Sequence, residues 1–93
     1  MSEQIRIHAV VSGRVQGVYY RASTRERALE IGVTGWVRNR ADGSVELEAQ
    51  GSPEQVENLL AWARQGPEQA RVQSCVPREI PTVPGEQHFQ ITQ

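Results

Sequence analysis

Ninety-three residues, 38% apolar and 23% charged, fit one small globular domain spanning 1–93 and exclude wholesale disorder. Ten Arg and no Lys balance eleven acids to a net charge of −1 without a run of like sign, so the basic footprint of a nucleic-acid binder is missing. No apolar run is long enough for a membrane-spanning helix, and Met1-Ser2-Glu3-Gln4 lacks the basic and apolar regions of a secretory signal, which leaves the cytoplasm as the expected location.

Residues 5–12 alternate as a strand, with Ile5, Ile7, Ala9 and Val11 on one face and Arg6, His8, Val10 and Ser12 on the other. Gly13 is expected to end it, and residues 13–20 read as a glycine-punctuated loop. A helix follows over 21–31, with Thr24, Ala28 and Ile31 at helical spacing, Leu29 beside them, and Gly32 as its left-handed stop. Residues 34–40 and 44–50 form a hairpin around Asp42-Gly43. In its second arm Val45, Leu47 and Ala49 face inward, and Glu46 and Glu48 are expected to face water.

Ser52, Pro53 and Gln55 mark the start of a second helix through a capping box. Val56, Leu59, Leu60 and Ala63 are its apolar stripe, and Gly66-Pro67 stops it. Ala70, Val72, Ser74 and Val76 alternate as a fourth strand. Pro77, Pro81 and Pro84-Gly85 then carry a loop to a short strand at His88–Ile91. The order βαββαβ plus a short final strand predicts a ferredoxin-like α/β sandwich. Two helices cover one face of a mostly antiparallel sheet, and the Arg6/His8 face stays partly wet.

Composition also eliminates chemistries. A lone Cys75 rules out an intrachain disulfide and a CxxC metal site, and one Asp, Asp42, cannot supply a paired-Asp mechanism. His8, His88 and Cys75 cannot build an ordinary tetrahedral zinc site without carboxylates. Cys75-Val76-Pro77-Arg78 is too short for a Cys-x5-Arg phosphatase loop, and Ser23 has no visible base. His8 and His88 read as solvated or hydrogen-bonded side chains. Trp36 and Trp62 read as packing residues, with Trp36 a candidate wall of a site because it shares a strand with Asn39. Arg14 and Arg38 read as solvated cations.

The segment Gly13-Arg14-Val15-Gln16-Gly17-Val18-Tyr19-Tyr20-Arg21 carries the functional signal. A strand ends, free loop amides follow, and a helix begins whose first N–H groups have no internal acceptor. Such amides form an anion nest, and the planar fork of Arg21 matches two phosphate oxygens. No Gly-Lys-Ser/Thr follows, so this is not a Walker loop. A third glycine and a parallel βαβ setting are missing, so it is not a dinucleotide fingerprint.

Val11-x-Gly13-x-Val15-Gln16-Gly17-Val18-x-Tyr20-Arg21 resembles the first signature of the acylphosphatase family. Gly35-Trp36-Val37-Arg38-Asn39-x-x-Asp42-Gly43-Ser44-Val45, with Gly51 after it, resembles the second. Tyr20 stands where the family usually has Phe, and a common second proline is missing after Gly66-Pro67.

The resemblance implies hydrolysis of the carboxyl–phosphate anhydride of a small acyl phosphate, with no metal or organic cofactor. Charge and apolar patterning speak for no nucleic-acid and no membrane partner, and a monomer is the simplest expectation. The resemblance assigns phosphate binding to Arg21 and to the loop amides of Val15, Gln16, Gly17, Val18, Tyr19 and Tyr20. It assigns the positioning of the attacking water to Asn39. On its own, Asn39 reads as a turn residue beside Asp42-Gly43. Two other functions fit the same fold: a non-catalytic module sensing carbamoyl phosphate or another anion, and an RNA-binding sheet face, for which aromatic residues are few.

Overall fold

A computed structural model describes residues 3–93. β1 spans Ile5–Arg14, α1 Tyr20–Ile31, β2 Thr34–Asn39, β3 Val45–Gly51, α2 Pro53–Ala63, β4 Arg71–Ile80 and β5 Phe89–Ile91. The sheet order is β4-β1-β3-β2-β5, with every neighbouring pair antiparallel except β2 and β5, which run parallel.

Local chemistry explains most boundaries. The Ser52 hydroxyl accepts from the Gln55 N–H at 3.1 Å and the Gln55 side chain accepts from the Ser52 N–H at 2.9 Å, so the capping box starts α2. Gly32, left-handed at φ 97°, donates to Ala28 O at 2.8 Å and stops α1. Asp42 Oδ1 accepts from the Ser44 N–H at 2.9 Å and the Ser44 hydroxyl at 2.6 Å, which closes the β2–β3 turn. The core lies between the helices and one sheet face. Ile7, Ala9, Val11, Val37, Leu47 and Ala49 meet Tyr20, Ala28, Val56, Leu59 and Leu60 there.

Several expectations need correction. Gly13 bends β1 without ending it: the register against β4 shifts between Ser12 and Gly13, and a Cβ on Gly13 would lie 2.1 Å from Arg71 O. α1 starts at Tyr20, and Leu29 points outward at 54% exposure. β4 begins at Arg71 and continues through Pro77, opposite Ala9, because an edge strand tolerates a residue with no N–H.

The second sheet face is partly wet, as expected, but Arg6, His8, Glu46 and Glu48 are paired on it. Arg6 is 2% exposed and donates to Glu48 at 2.8 Å, Gln50 at 3.2 Å and Glu86 at 2.8 Å. Gln50 also exchanges hydrogen bonds with the backbone of Val83, at 3.0 and 2.8 Å, so the segment after β4 straps this end of the face. Further along the face His8 Nε2 lies 2.7 Å from Glu46, Arg38 Nε donates to Glu46 at 2.7 Å, and the Arg38 guanidinium sits 5.6 Å above the centre of the Trp36 ring. Glu46 and Glu48 are therefore paired and partly buried.

Arg6→Ala strips two acids and a buried amide of their partner and should lower unfolding free energy by about 2–3 kcal/mol in a urea titration. The hydrogen bond to His8 and, after it, the Arg38 guanidinium hold the Glu46 carboxyl below its usual value, against burial, which pushes it up. A carboxylate stabilised this way contributes above its unfolded pKa and loses that contribution as pH falls through its folded one. Paired melts should show the wild type ahead of Glu46→Gln at pH 7, with the gap closing in acid.

Candidate active site

Residues 15–19 connect β1 to α1. Val15 and Val18 are 1% and 2% exposed and pin the segment to the core. Gly17 turns it at φ +76°, in space that would admit a side chain, so it is backbone conformation that selects glycine there. Tyr19 is also left-handed, at φ 62° and ψ 26°, and occupies the N-cap of α1 with no side-chain cap.

No acid stands in the first turn of α1, and its first hydrogen bond outside the helix proper runs from Ser23 N to Tyr19 O at 3.0 Å. Among the described residues, no backbone acceptor faces the N–H groups of Gln16 to Ala22. These groups carry the partial positive charge of a helix start that has no internal acceptor.

Two side chains set this loop against its neighbours. Gln16 Nε2 donates to Arg40 O at 2.8 Å and Ser44 O at 2.9 Å, which ties the loop to the β2–β3 turn. Tyr20 Oη donates to Ala63 O at 2.7 Å, and its ring tilts against Trp62 at 5.6 Å between centroids. A Cβ on Gly66 would meet the Tyr20 ring at 2.8 Å, so that position leaves room for the aromatic residue. Burial pushes the Tyr20 phenol far above its ordinary pKa, and it stays a neutral donor.

A cavity of about 420 Å³ opens in front of the loop. Val15, Gln16, Gly17, Tyr19, Tyr20 and Arg21 line it, as does Asn39. Val18 does not; its side chain faces the core. Arg21 is partly exposed, and among the described residues no acid pairs with it. Asn39 ends β2 on the helix-bearing face, with its Oδ1 buried and without a hydrogen-bond partner. Among the described residues, no Asp or Glu lines the cavity.

The other sequence candidates lie elsewhere. Trp36 does not wall this site: two-residue alternation along β2 puts it on the opposite face from Asn39, beside Arg38 and Glu46. Cys75 is half-buried in β4, where burial pushes its thiol up in pKa. Ser23 lies against Glu26, Arg27 and Trp62, away from Arg21, and among the described residues no three potential metal ligands cluster.

Two lining residues were missed from the sequence, Ala22 and Ile91. Ala22 follows from the helix start at Tyr20. Ile91 reaches the site only because β5 pairs in parallel with β2, with Ile91 opposite Val37, and a three-residue strand does not declare its neighbour.

A family model described as acylphosphatase matches residues 7–91. An acylphosphatase of Methylococcus capsulatus is 57% identical over 81 residues, 87% of each chain. One of Gloeobacter violaceus is 48% identical over 92 residues, covering 98% of this chain and 97% of its own. The solved structure of an acylphosphatase from Coxiella burnetii matches with a TM-score of 0.90 at 40% identity, covering 96% of this chain and 93% of that one. Both sequence motifs converge on one cavity, and relatives of nearly full length share the fold: the chain belongs to the acylphosphatase family.

Proposed function

We propose that the chain hydrolyses the carboxyl–phosphate anhydride of small acyl phosphates to a carboxylate and inorganic phosphate. The observation that carries this reading is the meeting, in one cavity, of an unpaired guanidinium and uncapped amides with a buried amide oxygen that has no partner. The guanidinium of Arg21 and the N–H groups of residues 15–20 hold the phosphoryl oxygens. Val18 takes part through its N–H alone.

The Asn39 side-chain amide, in the cavity lining, holds the attacking water and orients it toward phosphorus, since an amide can both donate and accept. The water oxygen forms the new bond to phosphorus as the bond to the carboxylate oxygen breaks. Both water protons remain with the phosphate product. The leaving carboxylate has a conjugate acid with a pKa of about 4, so it departs without a proton. The transition state spreads charge over the phosphoryl oxygens, and positioned donors stabilise it. A phosphate monoester needs a proton donor for its alkoxide, and no acid lines the cavity.

The reading takes 1–93 as one domain, acting as a cytoplasmic monomer without metal, organic cofactor or nucleic acid. Its net charge of −1 supports the last point, and none of the described helices is long and apolar enough to cross a membrane.

Turnover of an aromatic acyl phosphate should persist in excess chelator. Arg21→Ala should cut kcat/KM by at least about 10²–10³-fold, and Arg21→Lys should not restore it, because a point charge cannot reproduce the fork. Near-normal turnover in either variant removes Arg21 from the reaction. Asn39→Ala should lower kcat while inorganic phosphate still inhibits; loss of phosphate inhibition would make Asn39 an anion ligand instead.

A further inference from the structure

We propose that the acyl group of the substrate lies across the side chains of Tyr19 and Ile91, and that the chain favours aromatic and other bulky apolar acyl phosphates over acetyl phosphate. This rests on the reading of the cavity given above.

Five large apolar side chains are strongly exposed among the described residues: Tyr19, Leu29, Val76, Val83 and Ile91. Tyr19, at 81%, and Ile91, at 42%, line the cavity that holds Arg21 and Asn39, and the other three do not. With the phosphoryl group on Arg21 and the loop amides, the anhydride oxygen directs the acyl group toward the rest of the lining. Tyr19, Ala22 and Ile91 supply that part, and among the described residues Arg21 is the sole charged one in the lining. An apolar surface beside a polar anchor is how small-molecule sites divide orientation from affinity.

Backbone conformation adds a second argument. Tyr19 is the one non-glycine residue with positive φ among the described residues, and an aromatic side chain gains nothing from that conformation. Asn or Gly would adopt it with less strain, so the ring's value lies in what it contacts. Ile91 is equally fixed in place, by its parallel pairing opposite Val37 and by Thr92 N donating to Val37 O at 2.9 Å. Arg25 and His88 lie on the far side of Ile91, in an adjoining cavity, and do not line the one with Arg21. A second anionic group on the acyl chain would have to pass Ile91 to reach them.

Ile91→Ser and Tyr19→Asn test the proposal; asparagine keeps the left-handed backbone and deletes the ring. The readout is the ratio of kcat/KM for benzoyl phosphate to that for acetyl phosphate, which a general loss of folded protein leaves alone. Each variant should lower that ratio about three- to tenfold. A ratio that stays within about twofold of wild type in both variants, with turnover intact, overturns the acyl subsite and leaves the proposed reaction standing. A wild type that hydrolyses neither compound overturns the reaction and the subsite together. A rise in the ratio of succinyl to acetyl phosphate in the Ile91 variant, with the benzoyl ratio unmoved, would show that Ile91 bars a second anion from Arg25 and His88 and would overturn its role as an apolar acyl surface.

Discussion

A helix must begin somewhere, and its first N–H groups have no acceptor within it. Most helices answer this with a Ser, Thr, Asp or Asn cap, as α2 does with Ser52. α1 does not: its N-cap is Tyr19, no side chain bonds back, and no acid stands in the first turn. Amides left open at a partly covered helix start carry a cost, and an anion relieves it. In the proposed reading, recognition of phosphate comes from backbone that any sequence of suitable shape could supply, and the sequence contributes the shape. Gly17 and Tyr19 provide the two left-handed residues, and Val15 and Val18 provide the anchors beneath them.

Rigidity is added from outside the loop. The Gln16 amide spans to two carbonyls of the β2–β3 turn, so the strand that carries Asn39 is tied to the loop proposed to cradle the anion. The Tyr20 hydroxyl reaches a carbonyl in the last turn of α2, which couples the start of one helix to the end of the other. Where the family usually places Phe, this chain therefore has a polar tether in addition to the ring contact with Trp62. A reaction that depends on positioning, with little acid–base chemistry, places its demands on such ties.

Much of this was legible in the residues. Two-residue alternation, the Asp42-Gly43 turn and the Ser52/Gln55 box mark elements through interactions a few residues long, and the structure has each of them. The loop between β1 and α1 was legible for the same reason, since glycine punctuation before a helix is local. Some failures are local, as at Gly13, Leu29 and Trp36; the larger ones are non-local. Arg6 sits at a polar parity, and nothing near it announces Glu86, eighty residues on. The face that Trp36 takes depends on counting alternation from Val37. Ile91 depends on which strand a three-residue segment finds. Asn39 lies between the two cases: the residue was legible as a turn or a water ligand, and its place at the end of β2 in the cavity lining appears only in three dimensions.

The path of β4 through Pro77 bears on how copies of this chain meet one another. β4 is an outer strand ten residues long, the kind of edge on which proteins assemble into fibres. Pro77 sits in the middle of it with no N–H to offer a neighbour, and Arg71, Arg78 and Glu79 set charge along the same strand. A foreign strand arriving here would find a gap in the ladder and ions to desolvate. The proline that made this segment look like a loop in the sequence thus also guards the sheet against open-ended growth.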